Sequence, residues 1–289
     1  MQGLGGLAVW LLLAVAVTPA APPTAPAAEM QEITVDQVDQ TLLTSRGQAV
    51  LASSAFTWRH AQTEHFVVHF ENGIYASKVA RMAEFFHTYV SADLQGAADR
   101  LSGRSHVFIF RNEKDWRRFQ TDHGQPGLEW SFSMVEGPVM YLQQAGNASD
   151  SAEVLGHEMT HLVVNRFIEG RLPLWLNEGL AEWYGEFAYA AFKGVKKSKG
   201  AQFKRMSVSI PLADLLHAGS YPADPKAVPA FYAVSKHLVG FLQLKQPPEK
   251  FVPFVRAMAG GATVESGLTE VYAFADLQDF AKQFDKFCR

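Results

Sequence analysis

Phe66, Val68 and Phe70 alternate with His65, Val67 and His69, the period of a half-buried strand, which places a strand near 64–70. Tyr75, Val79, Met82, Phe86, Tyr89 and Val90 follow at spacings of three and four with charged residues between them, as an amphipathic helix requires. The polar stretch at 32–45 reads as a helical lead-in. Val107 to Phe110 is a continuous apolar run suited to a buried strand, and Trp116 and Phe119 fall on a short helix after it. Gly and Pro at 124–127 and 137–138 bracket the segment Trp130 to Met134, with Val139 to Leu142 beyond, the pattern of a hairpin. From residue 150 onward helical periodicity with Gly or Pro punctuation dominates, and no internal repeat is present. The expected fold is α+β: a mixed α/β lobe at 32–146, a mostly helical lobe at 147–289, and a ligand cleft between them.

The first residues stand apart from this pattern. Leu7 to Val17 is an apolar stretch too short to span a bilayer comfortably, and Thr18-Pro19-Ala20 offers a small-residue cleavage site, so residues 1–20 read as a signal peptide. No Lys or Arg precedes the apolar run, which leaves an uncleaved anchor, and contact with a membrane through it, as the alternative. Residues 21–31 form an Ala/Pro-rich linker. The mature chain is expected to be exported, periplasmic or secreted.

Composition narrows the chemistry. With 289 residues, 48% of them hydrophobic, the chain can bury a sizeable core. A formal charge of -3 gives no reason to expect nucleic acid as a partner. Cys288 is the only cysteine, which excludes an intrachain disulfide and a thiolate-rich metal site. Any metal must be held by nitrogen and oxygen.

A candidate for that role is His157-Glu158-Met159-Thr160-His161. Side chains four apart lie on one helical face, so His157 and His161 can share one metal ion, with Glu158 beside them. Zinc there would lower the pKa of its water to about 7, and Glu158 could take the proton as that water attacks a carbonyl. Asp150 and Glu153 form a capping-box pattern at the start of this helix, Val154, Leu155, Leu162, Val163, Phe167 and Ile168 supply apolar contacts, and Gly170 ends it. Pro173 opens a second helix, in which Glu178 falls inside an otherwise apolar run. A carboxylate there is costly to bury unless paired or metal-bound, so Glu178 is the expected third ligand. Glu182, one turn later, can accept a hydrogen bond from a ligand imidazole, His157 being the expected partner.

The His157-Glu158-x-x-His161 helix, followed by the run Trp175 to Glu182, resembles the gluzincin metallopeptidases and most closely the peptidase MA-like family. The resemblance implies a zincin-like fold, one zinc per chain on His157, His161 and Glu178, and Glu158 as the catalytic base. Gluzincin aminopeptidases also carry a Gly-x-Met-Glu-Asn segment that binds the substrate's amino end. Here Glu136 stands in the comparable stretch, in surroundings that do not match, which favours an endopeptidase. On the later helix Phe231, Val234, Leu238, Phe241 and Leu242 form an apolar stripe, and Tyr232 lies away from it. By the same resemblance Tyr232 is the candidate donor to the scissile carbonyl; His237, on the same helix, reads as a solvated histidine or a second donor to the substrate.

The reading is thus an exported zinc metallopeptidase acting on peptide or protein. Its rivals are a catalytically silent zinc-binding protein of the cell envelope and a zinc hydrolase of a non-peptide bond. Lys193, Lys196, Lys197, Lys199, Lys204 and Arg205 form a basic run, read as a solvated loop or a docking patch for an acidic protein or an anionic surface. Asn147-Ala148-Ser149 is a glycosylation sequon, meaningful only in a eukaryotic source.

Overall fold

The computed structural model describes residues 29–94, 97–125, 131–144, 150–200, 206 and 210–289, with the side chains of 150–153 apart. The signal peptide, the Asp150–Glu153 cap, the sequon and the Lys204–Arg205 end of the basic run lie outside these. No described helix is long and apolar enough to cross a membrane.

The chain opens with β1 (Gln31–Ile33), a 3-10 turn at Val35–Gln37, and α1 (Ser45–Ala52), whose cap is Thr44 accepting from the Gly47 amide. The helical lead-in expected at 32–45 is therefore wrong: helix begins only where that stretch ends. Then come β2 (Arg59–Gln62), β3 (Phe66–Phe70), α2 (Gly73–Asp93), β4 (Ser105–Phe110), α3 (Glu113–His123) and the antiparallel pair β5 (Ser133–Glu136) and β6 (Val139–Gln143). The six strands lie in the order β1-β2-β3-β4-β6-β5, with β3, β4 and β6 parallel at the centre and β5 an antiparallel edge.

Both faces of this sheet are covered. Phe66, Val68, Phe70, Val107 and Ile109 pack toward α2 and the later helices, whereas Phe108, Phe110 and Tyr141 pack with Trp116 and Phe119 of α3 and Val50 of α1. Central parallel strands are normally enclosed in this way. All five residues of β3 are buried, so the half-buried strand expected there is corrected. The second face takes His60, His69 and His106 side by side. Their cost of burial is offset by one another, His60 Nδ1 lying 2.8 Å from His69 Nδ1 and His69 Nε2 2.9 Å from His106 Nδ1.

After the sheet the chain is helical: α4 (Asp150–Phe167), α5 (Leu174–Phe192), α6 (Leu212–Leu216), α7 (Val228–Lys245), α8 (Phe251–Ala259), α9 (Val264–Ser266, continued by a π turn at Gly267–Val271) and α10 (Leu277–Cys288). Gly170 breaks α4 from α5. Its φ of 104° suits glycine alone, and a Cβ there would meet the Ala259 carbonyl oxygen at 2.1 Å. The structure is the expected α+β, a six-stranded sheet followed by a helical region, consistent with a zincin-like fold. One apolar core runs from the sheet through α2, α4, α5 and α7.

Candidate metal centre

Two close helix contacts assemble the site. A Cβ on Gly156 of α4 would lie 2.9 Å from the Gly185 carbonyl oxygen of α5, and one on Gly185 would lie 3.2 Å from the His157 Cα. On the other side of α5, a Cβ on Gly179 would meet the Ser235 carbonyl oxygen of α7 at 2.5 Å. The absence of side chains at these points lets α4, α5 and α7 approach backbone to backbone, which brings His157, Glu178 and Tyr232 to a common centre.

There His157 Nε2 and His161 Nε2 face each other at 3.1 Å, and Glu178 Oε2 lies 3.2 Å from the first and 3.6 Å from the second. Glu178 is buried, and its two oxygens are used differently. Oε1 accepts from the Tyr221 hydroxyl (3.0 Å) and from Asn177 Nδ2 (3.2 Å), whereas Oε2, aimed at the imidazoles, has no hydrogen-bond partner among the described residues. His157 Nδ1 donates to Glu182 Oε1 at 3.0 Å, which turns the lone pair of Nε2 inward. Two imidazole nitrogens and a carboxylate oxygen this close are held together either by a shared proton or by a cation, and a set of two imidazoles and one carboxylate fits a metal ion. These three residues satisfy the spacing of a metal-ligand group.

The electrostatics agree. Burial disfavours a charged His157, but the carboxylates of Glu178 and Glu182, with Glu158 nearby, overcome it and push the imidazole up to about 10. Burial likewise opposes ionisation of Glu178, and His157 and His161 outweigh it, holding the carboxyl well below its usual range. The pocket is built to keep one positive charge. Burial, then the negative field of Glu178, pushes the Tyr232 phenol up to about 12, so it remains a proton donor at neutral pH. Its ring lies edge-on to His157, centroids 5.8 Å apart.

These residues line a cleft of about 1380 Å³. Its walls are Ser131 to Val135, which run into the edge strand β5, the motif face of α4, and α5 and α7. Glu158 and Tyr232 both reach it, as do the exposed apolar side chains Phe132, Val154, Val195 and Tyr221. Val154 is therefore a cleft residue, 40% exposed, and not one of the core contacts expected of α4.

Other expectations fall elsewhere. His237 is not on the cleft, and its Nδ1 lies 2.8 Å from the Ala233 carbonyl of its own helix. Glu136 is turned to the opposite face of the sheet, where Thr44 Oγ1 donates to it at 2.8 Å and Arg46 pairs with it at 2.9 Å. The basic run is only partly a solvated loop. Lys197 pairs with Glu186 and Lys199 with Asp93, while Lys193 and Lys197 line the cleft.

Two features of the site's support escaped the pattern. Tyr221, on the loop before α7, holds the outer oxygen of Glu178; a lone aromatic in a loop has no periodic signal. Arg166, at the carboxyl end of α4, is 1% exposed and donates to Asp99 Oδ2, Ser105 Oγ and the carbonyls of His65, Leu101 and Gly103, clamping the motif helix to the sheet. In the same region His65, Glu84 and His87 also lie at metal-ligand spacing. Each imidazole there already has a carboxylate, His65 Nδ1 to Glu84 at 2.7 Å and His87 Nε2 to Asp99 at 2.9 Å, and the guanidinium of Arg166 supplies the positive charge. This cluster is a satisfied latch.

The family model of the Peptidase MA superfamily matches residues 143–289, from the end of β6 through the last helix, and the chain belongs to that superfamily. It is of the metallopeptidase class, whose members are typically metal-dependent. No curated protein matches the chain.

Proposed function

We propose that this protein is an exported zinc-dependent endopeptidase. The observation that carries the reading is the unpartnered Glu178 Oε2, buried and aimed at two imidazole nitrogens on the wall of an open cleft. Tetrahedral zinc with bonds of about 2.0–2.1 Å holds its donor atoms about 3.3 Å apart, close to the separations found here. His157, His161 and Glu178 would hold the ion, and zinc in such a set polarises a carbonyl and acidifies water.

The protein's own groups do the rest. Glu158, at the cleft surface and outside the ligand set, takes the proton of the attacking water and passes it to the leaving amine. Tyr232 donates a hydrogen bond to the oxygen that turns negative in the transition state. Glu182 keeps the proton of His157 on Nδ1. β5, the outermost strand of the sheet, can take an extended peptide as a further strand, and the exposed apolar side chains of the cleft can receive alternate residues.

Cleavage within a chain is favoured because Glu136, the candidate for holding a free amino end, is tied to Arg46 and Thr44 away from the cleft. Export is supported by the apolar stretch Leu7 to Val17 with its following small residues. The test is metal analysis with turnover. Wild type should hold about one zinc per chain and cut unfolded protein, and Glu178→Ala should lose both. Zinc retained by both Glu178→Ala and His161→Ala would remove the reading.

A further inference from the structure

The charges lining the cleft are segregated. Glu158, Glu178 and Glu182 surround the metal centre, whereas the three cations among the described lining residues, Lys193, Lys197 and Lys236, gather at the far end of α5. The helices set this order. Glu178, Glu182 and Glu186 recur every four residues on one face of α5, so Glu186 lies about 12 Å along the helix from the metal ligand. On α7, Lys236 stands one turn beyond Tyr232. Glu186 joins the two series, with Oε1 2.9 Å from Lys197 Nζ and Oε2 paired to Lys236.

A single carboxylate cannot balance three ammonium groups. Glu186 is itself held below the usual carboxylate range: burial opposes this, and Lys236 and Lys197 outweigh it, so it stays ionised. Lys193 is exposed and has no acidic partner among the described residues. A net positive charge of about two therefore faces an apolar-walled cleft, where field lines concentrate. A purely structural pair would need only Lys236 and Glu186.

We infer that Lys193, Lys197 and Lys236 form a carboxylate-recognition subsite, and that the enzyme selects peptides carrying a carboxylate about three or four residues from the cleaved bond. The spacing follows from the rise of about 12 Å between Glu178 and Glu186, the carboxylate that Lys197 and Lys236 both touch, and an extended chain of about 3.3 Å per residue. This inference rests on the peptidase reading for its substrate. Its physical content is narrower: the cleft binds a peptide carboxylate in preference to the isosteric amide. The carboxylate can come from an Asp or Glu side chain or from the peptide's own carboxyl terminus.

The experiment uses blocked octapeptides labelled with fluorescein. One arm exchanges Glu for Gln at each position in turn; a second leaves every side chain neutral and compares a free carboxyl terminus with an amide. Binding to Glu158→Gln protein is read by anisotropy, and cleavage by wild type is read as kcat/KM. We expect a preference of about tenfold for the carboxylate in one arm, which identifies its source, falling toward one in Lys193→Gln/Lys197→Gln and in 0.5 M salt (about 4 Å screening length). Equal binding of acid and amide in both arms overturns the subsite, as does a preference that survives both the double variant and the salt. The two readings fail separately: binding preference without cleavage in wild type removes the peptidase, and cleavage without preference removes only the subsite.

Discussion

Gly156 of α4 and Gly185 of α5 meet backbone to backbone, so that a methyl group on Gly156 would sit 2.9 Å from the Gly185 carbonyl oxygen. This contact sets how closely the two-histidine helix approaches the helix that carries Glu178 and Glu182. Gly156→Ala should force the helices apart, destabilising the protein by about 1–3 kcal/mol. It should also weaken zinc binding by about ten- to a hundredfold, the scale of lost support for metal ligands. Gly219, where a Cβ would have nothing within 4 Å, provides the neutral comparison as Gly219→Ala. Denaturant melts and zinc titrations of the two variants check the point, and equal behaviour would show that the contact does not govern the site.

Arg166 is the other end of the same positioning. Its Nε lies 2.6 Å from Asp99 Oδ2 and its remaining donors meet one hydroxyl and three carbonyls, so Arg166→Met would leave the part-buried Asp99 without its guanidinium, with only His87 and the Leu101 amide still on it, and take from these other acceptors their Arg166 donor. The expected loss of stability is about 3–5 kcal/mol, the cost of breaking a buried pair from one side. Chemical denaturation measures it. A loss below about 1 kcal/mol would place Arg166 among ordinary surface pairs.

The row His60, His69 and His106 makes stability depend on pH. Burial lowers all three, His106 from 6.5 to about 4, with Asp39 opposing the shift at His106. In that window the unfolded chain binds more protons than the native one, so stability is full above about pH 6.5 and falls as the pH drops toward 4. His106 alone accounts for about 3 kcal/mol of that fall. His106→Asn, which keeps a polar atom toward His69, should flatten the stability-pH curve over this range relative to wild type. Parallel curves would show that His106 is not the titrating group.

The candidate site was legible where chemistry coincides with periodicity. His157 and His161 four apart, and Glu178 inside an apolar run, can each be seen in one helix without knowledge of any other. Tyr232 was legible because it leaves the stripe formed by Phe231, Val234 and Leu238. What depends on contacts distant in sequence was not. The strands at Gln31–Ile33 and Arg59–Gln62 are short and polar, and they exist through pairing with each other and with β3. Arg166 reads as a cation at a helix end until the loop at 99–103 closes over it. The burial of His69 could not be inferred from alternation, because the second face of β3 is covered by elements from both sides of it in the chain.

In the proposed mechanism Glu158 moves a proton at a zinc site it does not help to hold. Zinc content and hydrolysis of a peptide library, measured together on wild type and Glu158→Gln, test it most directly. The expected result is about one zinc per chain in both proteins and a loss of turnover of at least about a hundredfold in the variant, the scale of general-base catalysis. Hydrolysis by Glu158→Gln at the wild-type rate, with zinc in place, would contradict it.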